Sequence, residues 1–260
     1  MTEAIVTSAL APLMKEPSPR AELVSQMVTG ETCLVVDERQ PWSKVRRALD
    51  GYEGWIHKGY LKLVSPDESC SWRERATFLA EGAEVEDRKG RRVHLPLLAR
   101  VAGSGDEWEL ASGVRGRVVA GSIHPADALA RSAGSSRSID WVQSRFAGTA
   151  YLWGGITPWG VDCSGLVQTT FAARGQVLPR DSHDQAAHGT QIAPGAIAPG
   201  DLLFFSEKGE RITHVAFAGD DDTLVHATLA CGGFVVESWR PGTRAAHLRE
   251  QLVAIRRIGD

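Results

Sequence analysis

The first 130 residues alternate apolar and polar positions in short runs, each closed by Gly, Asp or Pro. A period of two puts every second side chain on one face, so these runs predict β-strands. Val24 to Val36 is rich in Val, Thr and Leu. Further on, Asp50-Gly51 separates Trp42-Ser43-Lys44-Val45-Arg46 from Tyr52-Glu53-Gly54-Trp55-Ile56, and Asp-Gly between two such runs predicts a hairpin. The pattern returns where Trp108-Glu109-Leu110 leads into Gly113-Val114-Arg115-Gly116. A Trp thus precedes a Gly-x-x-Gly turn twice, with 62 to 66 residues between the copies. Two copies of one small β-barrel, residues 1–66 and 67–130, is the physical reading.

The texture changes after Ser132-Ala133-Gly134-Ser135-Ser136-Arg137-Ser138, a small polar stretch that reads as an interdomain linker. Ile139, Val142 and Phe146 then recur at helical spacing. Cys163 to Arg174 predicts a second helix, closed by Gly175 at its C-terminal cap. Three short apolar strands follow: Asp201-Leu202-Leu203-Phe204-Phe205, His214-Val215-Ala216-Phe217-Ala218 and Thr223-Leu224-Val225-His226-Ala227. Phe234 to Trp239 and Val253 to Ile258 add two more. Residues 136–260 therefore predict an α+β domain, helices followed by an antiparallel sheet.

Composition narrows the function. The chain has 260 residues, 43% of them hydrophobic and 23% charged, which suits packed cores rather than disorder. Lys and Arg number 29 against 32 Asp and Glu, a net charge of −3 that gives no electrostatic case for nucleic acid or an anionic membrane surface. No apolar run reaches the roughly 18 residues of a membrane-spanning helix. Near the start, Glu3 precedes the mildly apolar stretch and Lys15 follows it, the reverse of a secretory signal, so the expected location is cytoplasmic. Of the four cysteines none forms a C-x-x-C pair, and no His, Cys or Asp cluster has ligand spacing; no metal or cofactor is expected. Cys33 lies in the apolar run Thr32 to Val36 and predicts a buried thiol.

Cys163 differs from the other three. Asp162-Cys163-Ser164-Gly165 opens a predicted helix, where unpaired N–H groups and the helix dipole favour thiolate over thiol. The preceding Tyr151-Leu152-Trp153-Gly154-Gly155-Ile156-Thr157-Pro158-Trp159-Gly160 suits a cleft wall. His214 and His226 lie on neighbouring strands joined by a tight turn, so both imidazoles can reach one face, one as base and the other steadying it.

These residues carry a resemblance. Asp162-Cys163-Ser164-Gly165, then Gly200-Asp201-Leu202-Leu203-Phe204-Phe205, Thr213-His214-Val215-Ala216 and His226-Ala227 resemble, in order and spacing, the NlpC-type cell-wall cysteine peptidases. The likeness spans roughly residues 136–258. It implies a papain-like catalytic domain behind SH3-like β-barrels, with Cys163 as nucleophile, His214 as base, His226 as the residue that holds the base, and Tyr151 near the oxyanion. Asp162, Ser164, Asp181 and Ser182 match positions that contact the L-Ala-γ-D-Glu part of a substrate, and Arg180 and Gln185 belong to the same loop. In the first module Tyr52 and Glu22, with Glu31 as competitor, match the pair that binds the free amine of an N-terminal L-Ala. The implied reaction is hydrolysis of the γ-D-Glu to diamino acid bond in short free murein peptides such as L-Ala-γ-D-Glu-diaminopimelate. The competing readings are a peptide-binding protein with an inactive catalytic domain, and an amidase or acyl transferase using the same Cys-His pair.

Overall fold

A computed structural model describes residues 2–105, 107–209 and 211–259. The chain divides into two compact units, Met1–Leu129 and Ala130–Asp260.

The first unit holds two seven-stranded antiparallel sheets. Strands β1 (Glu3–Val6), β2 (Leu10–Met14), β3 (Leu23–Val28), β4 (Thr32–Arg39), β5 (Trp42–Arg47), β6 (Glu53–His57) and β7 (Leu61–Val64) pair in the order β3-β2-β6-β5-β4-β1-β7. The hairpin expected at Asp50-Gly51 is β5–β6, with Gly51 at φ +75°. The run Val24 to Val36 is two strands, because Thr29 and Gly30 turn the chain between them. Helix α1 (Pro66–Arg75) follows. Ser65 accepts from the Glu68 N–H while Glu68 reaches back to the Ser65 N–H, a reciprocal cap with Pro66 in the first turn. The second sheet, β8 (Phe78–Ala80), β9 (Ala83–Asp87), β10 (Arg92–Leu95), β11 (Arg100–Ser104), β12 (Glu107–Glu109), β13 (Arg115–Ala120) and β14 (Ile123–Pro125), pairs in the order β10-β9-β13-β12-β11-β8-β14. Both are SH3-like in their β-rich make-up, and among the described residues neither strand order closes on itself. Trp72 of α1 joins them: it is buried with Ile5, Val64, Ala76, Ala102 and Ala111, and its indole N–H donates to the Gly30 carbonyl at 2.8 Å.

Helix α2 (Ala126–Gly134) carries the chain into the second unit. This corrects the linker expectation, since Ala126 to Ala133 is Ala-rich and helical and only Ser135 to Arg137 separates α2 from α3 (Ser138–Phe146). A two-stranded turn, β15 (Ile156–Thr157) and β16 (Gly160–Val161), precedes α4 (Cys163–Ala173), and α5 (Ser182–Gln185) follows it. The main sheet contains β17 (Thr190–Gln191), β18 (Leu202–Phe205), β19 (His214–Ala218), β20 (Thr223–Thr228), β21 (Gly233–Ser238) and, after the short α6 (Leu248–Gln251), β22 (Leu252–Arg257). Their order is β17-β22-β18-β19-β20-β21, all antiparallel.

The apolar runs of β18 and β19 mean what they say: all four residues of β18 are buried, as are Val215 to Ala218. One face carries Leu203, Phe205, Ala216, Ala218 and Leu224 against Trp239, Ala245 and Leu248. The other meets α4, where Phe171 stacks on Phe217 at 6.1 Å. Helix α4 is buried almost all round, which fixes its first residue, Cys163, against the sheet.

Candidate active site

Cys163 begins α4 at the point where the loop before it is tied down most heavily. Asp162 caps the helix. Its Oδ1 accepts from the Gly165 N–H at 2.7 Å and its Oδ2 from the Gly154 N–H at 2.8 Å. Arg180 grips both carboxylate oxygens, Nη2 to Oδ2 at 2.6 Å and Nη1 to Oδ1 at 3.1 Å, and also donates to the Ser164 hydroxyl at 2.8 Å. Gly165 has a steric reason to be glycine, because a Cβ there would lie 2.1 Å from the Gly155 carbonyl oxygen. The Asp-Cys-Ser-Gly sequence is thus a cap, a thiol, a bonded hydroxyl and a gap for the incoming loop. The Asp162 carboxylate, sought as a substrate contact, is buried and engaged by the chain itself.

The backbone N–H groups of Val215 and Ser164 act on the Cys163 sulfur in favour of its thiolate, which places it near the residue after His214. Burial, with the Asp162 charge in support, pushes the Cys163 thiol up to about 12. The thiolate expected from a helix start is therefore opposed by the loss of water around the sulfur, which here is the larger effect. Burial, then His226, then Arg244 push His214 down to about 3. Burial thus disfavours the charged form of both groups.

His214 and His226 do share a face. The register pairs Phe217 with Val225 and Ala218 with Leu224. His214 Nε2 lies 2.8 Å from His226 Nδ1. The second nitrogen of His226 meets a residue that sequence reasoning passed over: Glu237 Oε1 is 2.9 Å from His226 Nε2. Burial lowers His226 more than Glu237 raises it. Burial alone would raise Glu237, but hydrogen bonds from Arg244 and His226 overcome that and hold its carboxyl below the usual range.

Tyr151 is anchored by its backbone, donating its N–H to the Gly232 carbonyl at 2.8 Å and bridging to Val161. Burial, then the Cys163 and Asp162 charges, raise its phenol well above the ordinary value, so it remains an O–H donor near the sulfur. Asp181 and Ser182 stand half-buried at the start of α5. Gln185, fully buried, ties that turn to α4 by donating to the Ser164 and Pro179 carbonyls, both at 2.9 Å. Leu152, Trp153 and Trp159 are exposed on the loop before the cysteine. Among the described residues no group of three or more His, Cys, Asp or Glu is arranged to hold a metal ion.

Tyr52 and Glu22 lie in the first unit. Tyr52 is half-buried on that unit's first core, its N–H held by Asp50 at 3.0 Å. Glu22 pairs with Lys15 at 2.9 Å on the surface. The competitor Glu31 is committed inside, Oε1 to Arg47 at 2.9 Å and Oε2 to the Val28 N–H at 2.8 Å.

A family model described as the NlpC/P60 family matches residues 148–252, and one described as a bacterial dipeptidyl-peptidase SH3 domain matches residues 13–61. The gamma-D-glutamyl-L-lysine dipeptidyl-peptidase of Bacillus subtilis (strain 168) is 32% identical over 218 residues, covering 78% of this chain and 71% of that protein. Dipeptidyl-peptidase 6 of Lysinibacillus sphaericus is 26% identical over 246 residues, 87% of this chain and 88% of its own length. The crystal structure of an NlpC/P60 family protein from Bacillus cereus ATCC 10987 shares the fold, with a TM-score of 0.81 at 19% identity over 98% of this chain and 99% of that one.

Proposed function

The chain belongs to the NlpC/P60 family of cell-wall peptidases, and on that premise we propose that it is a cysteine endopeptidase cutting the γ-D-Glu to diamino acid bond of short murein peptides that begin with L-Ala. The observation that supports it is the Cys163 sulfur at the start of α4, under the influence of the Val215 N–H that follows His214, with His214 Nε2 held by His226 at 2.8 Å. That contact leaves Nδ1 of His214 as the nitrogen that can serve the thiol.

In this reading Nδ1 takes the Cys163 proton as the sulfur attacks the γ-carbonyl carbon. The Tyr151 hydroxyl and the Cys163 N–H at the start of α4 face the oxyanion, an effect of about 3 to 4 kcal/mol per well-placed donor. His214 then gives its proton to the leaving amine, the C–N bond breaks, and the L-Ala-D-Glu acyl group stays on sulfur as a thioester. Water, deprotonated by the same nitrogen, cleaves the thioester and frees the dipeptide. Burial that disfavours both charged forms suits this course, since the proton then crosses from sulfur to nitrogen as the substrate carbonyl receives the sulfur's electrons.

The role is recycling of free murein peptides in the cytoplasm. Tyr52 and Glu22 reward an ammonium at the substrate's L-Ala, because a hydroxyl and a carboxylate lose bonds to a blocked amine. Cell fractionation tests the location, and protein found in the medium or at the wall would contradict it. Acid quenching during turnover of L-Ala-γ-D-Glu-meso-diaminopimelate, followed by peptide mass mapping, tests the chemistry. The expected adduct is one dipeptide acyl group on Cys163; turnover with the adduct on another residue would overturn the assignment.

A further inference from the structure

Two imidazoles that share one hydrogen have two arrangements. In the first, His214 Nε2–H donates to His226 Nδ1, and His214 Nδ1 keeps a lone pair that can accept the thiol proton. In the second, His226 Nδ1–H donates to His214 Nε2. A neutral His214 then carries its hydrogen on Nδ1, where it blocks proton transfer from sulfur. The 2.8 Å separation fits both, and nothing in the ring pair itself prefers the first.

Glu237 breaks the tie. Strand β21 pairs with β20 so that Leu224 faces Glu237 and His226 faces Val235, which puts His226 and Glu237 on one face as diagonal neighbours. Oε1 of Glu237 lies 2.9 Å from His226 Nε2, and the carboxylate is 14% exposed. A carboxylate only accepts, so His226 Nε2 must carry the hydrogen. A neutral His226 is then bare at Nδ1 and can only accept from His214. Arg244, from the turn Arg244–His247, donates from Nε to Glu237 Oε2 at 2.9 Å and from Nη2 to Oε1. The Cys231 thiol lies 4.0 Å from Oε1 as a further neighbour.

The geometry points to Glu237 as a positioning residue that sets the tautomer of His214 through His226, with Arg244 holding Glu237 in its acceptor-only form. This rests on the proposed function for its consequence, since the selected tautomer is the one with a base at Nδ1. Glu237 touches neither sulfur nor substrate in this scheme. It acts two hydrogen bonds away, as the outer partners of catalytic histidines do elsewhere. A glutamine in its place offers both a donor and an acceptor, so both arrangements of the ring pair become accessible.

The test uses the full chain with nitrogen-15 histidine and long-range proton–nitrogen correlation spectra, taken without substrate. The wild type is expected to show His214 protonated on Nε2 with a bare Nδ1. Glu237→Gln is expected to show a mixture of tautomers at His214. On L-Ala-γ-D-Glu-meso-diaminopimelate its kcat is expected to fall about 10- to 100-fold, with KM changed less than about twofold. The half-exposed Arg244→Gln leaves the strand residues and the Glu237 carboxylate in place, so near neutral pH it is expected to keep the wild-type tautomer with a smaller loss of kcat. If Glu237→Gln does not fold, the wild-type spectrum alone still reads the inference. A mixture of tautomers or an Nδ1–H at His214 in the wild type, or a single Nε2–H tautomer in Glu237→Gln, would overturn it. No turnover by the wild type would overturn the substrate reading instead, and the tautomer spectra would still decide this one.

Discussion

Arg180 and Asp162 form a two-pronged ion pair, 2.6 Å on one side and 3.1 Å on the other, with side chains only 1% and 8% exposed. The pair bolts the loop after α4 to the residue before the cysteine. Removing one partner strands the other's charge away from water. Arg180→Ala is therefore expected to destabilise the second unit by about 3 to 5 kcal/mol. Urea unfolding followed by tryptophan fluorescence measures it. A loss below about 1 kcal/mol would mean that solvent reaches Asp162 freely.

His214 ties stability to pH. Its folded value, about 3, lies below the unfolded value of 6.5. The unfolded chain thus binds the extra proton first as pH falls. The contribution is complete above 6.5 and is lost between 6.5 and about 3. Stability measured by denaturation at about pH 7 and about pH 5 should drop more in the wild type than in His214→Gln. Equal drops would show that His214 is protonated equally in both states.

The cysteines divide by burial. Cys33 is buried at 1% exposure, and burial, then Glu31, push its thiol up to about 12, whereas Cys70 and Cys231 are exposed. Alkylation of the native chain should mark Cys70 and Cys231 early and Cys33 only after unfolding. Peptide mapping reads the order. Native labelling of Cys33 at the rate of Cys70 would contradict the first sheet's packing.

The amine reading of Tyr52 and Glu22 makes its own prediction. Acetylating the substrate's L-Ala should lower kcat/KM by about tenfold, as the ammonium proposed to meet Tyr52 and Glu22 is then gone. Tyr52→Phe and Glu22→Gln should shrink that gap by slowing the free-amine peptide. Equal turnover of the two peptides by the wild type would remove these residues from recognition.

What the sequence disclosed follows from how local each signal is. Strands β18 and β19 were legible because both faces are buried, and their apolar runs allow little else. The helix at Cys163 was legible from its cap and its terminal glycine. The capping box Ser65-Pro66-Asp67-Glu68 was equally local and went unread among the strands around it. The linker was misread because Ser132 belongs to α2 and Ser138 to α3, leaving only Ser135 to Arg137 between the helices. Glu237 could not be found by local reading: in Phe234-Val235-Val236-Glu237-Ser238 it looks like the polar end of an edge strand. Its meaning comes from the β20–β21 register and from Arg244. Arg180 is a lone basic residue in sequence, and only the fold brings Asp162 to it.

The central claim is that the Cys163 sulfur does the cutting. Wild type and Cys163→Ala, both shown folded by circular dichroism, are incubated with L-Ala-γ-D-Glu-meso-diaminopimelate and the products separated by liquid chromatography with mass detection. The account predicts L-Ala-D-Glu and free diaminopimelate from the wild type and neither from the variant. Release of the dipeptide at the same rate by Cys163→Ala would contradict it.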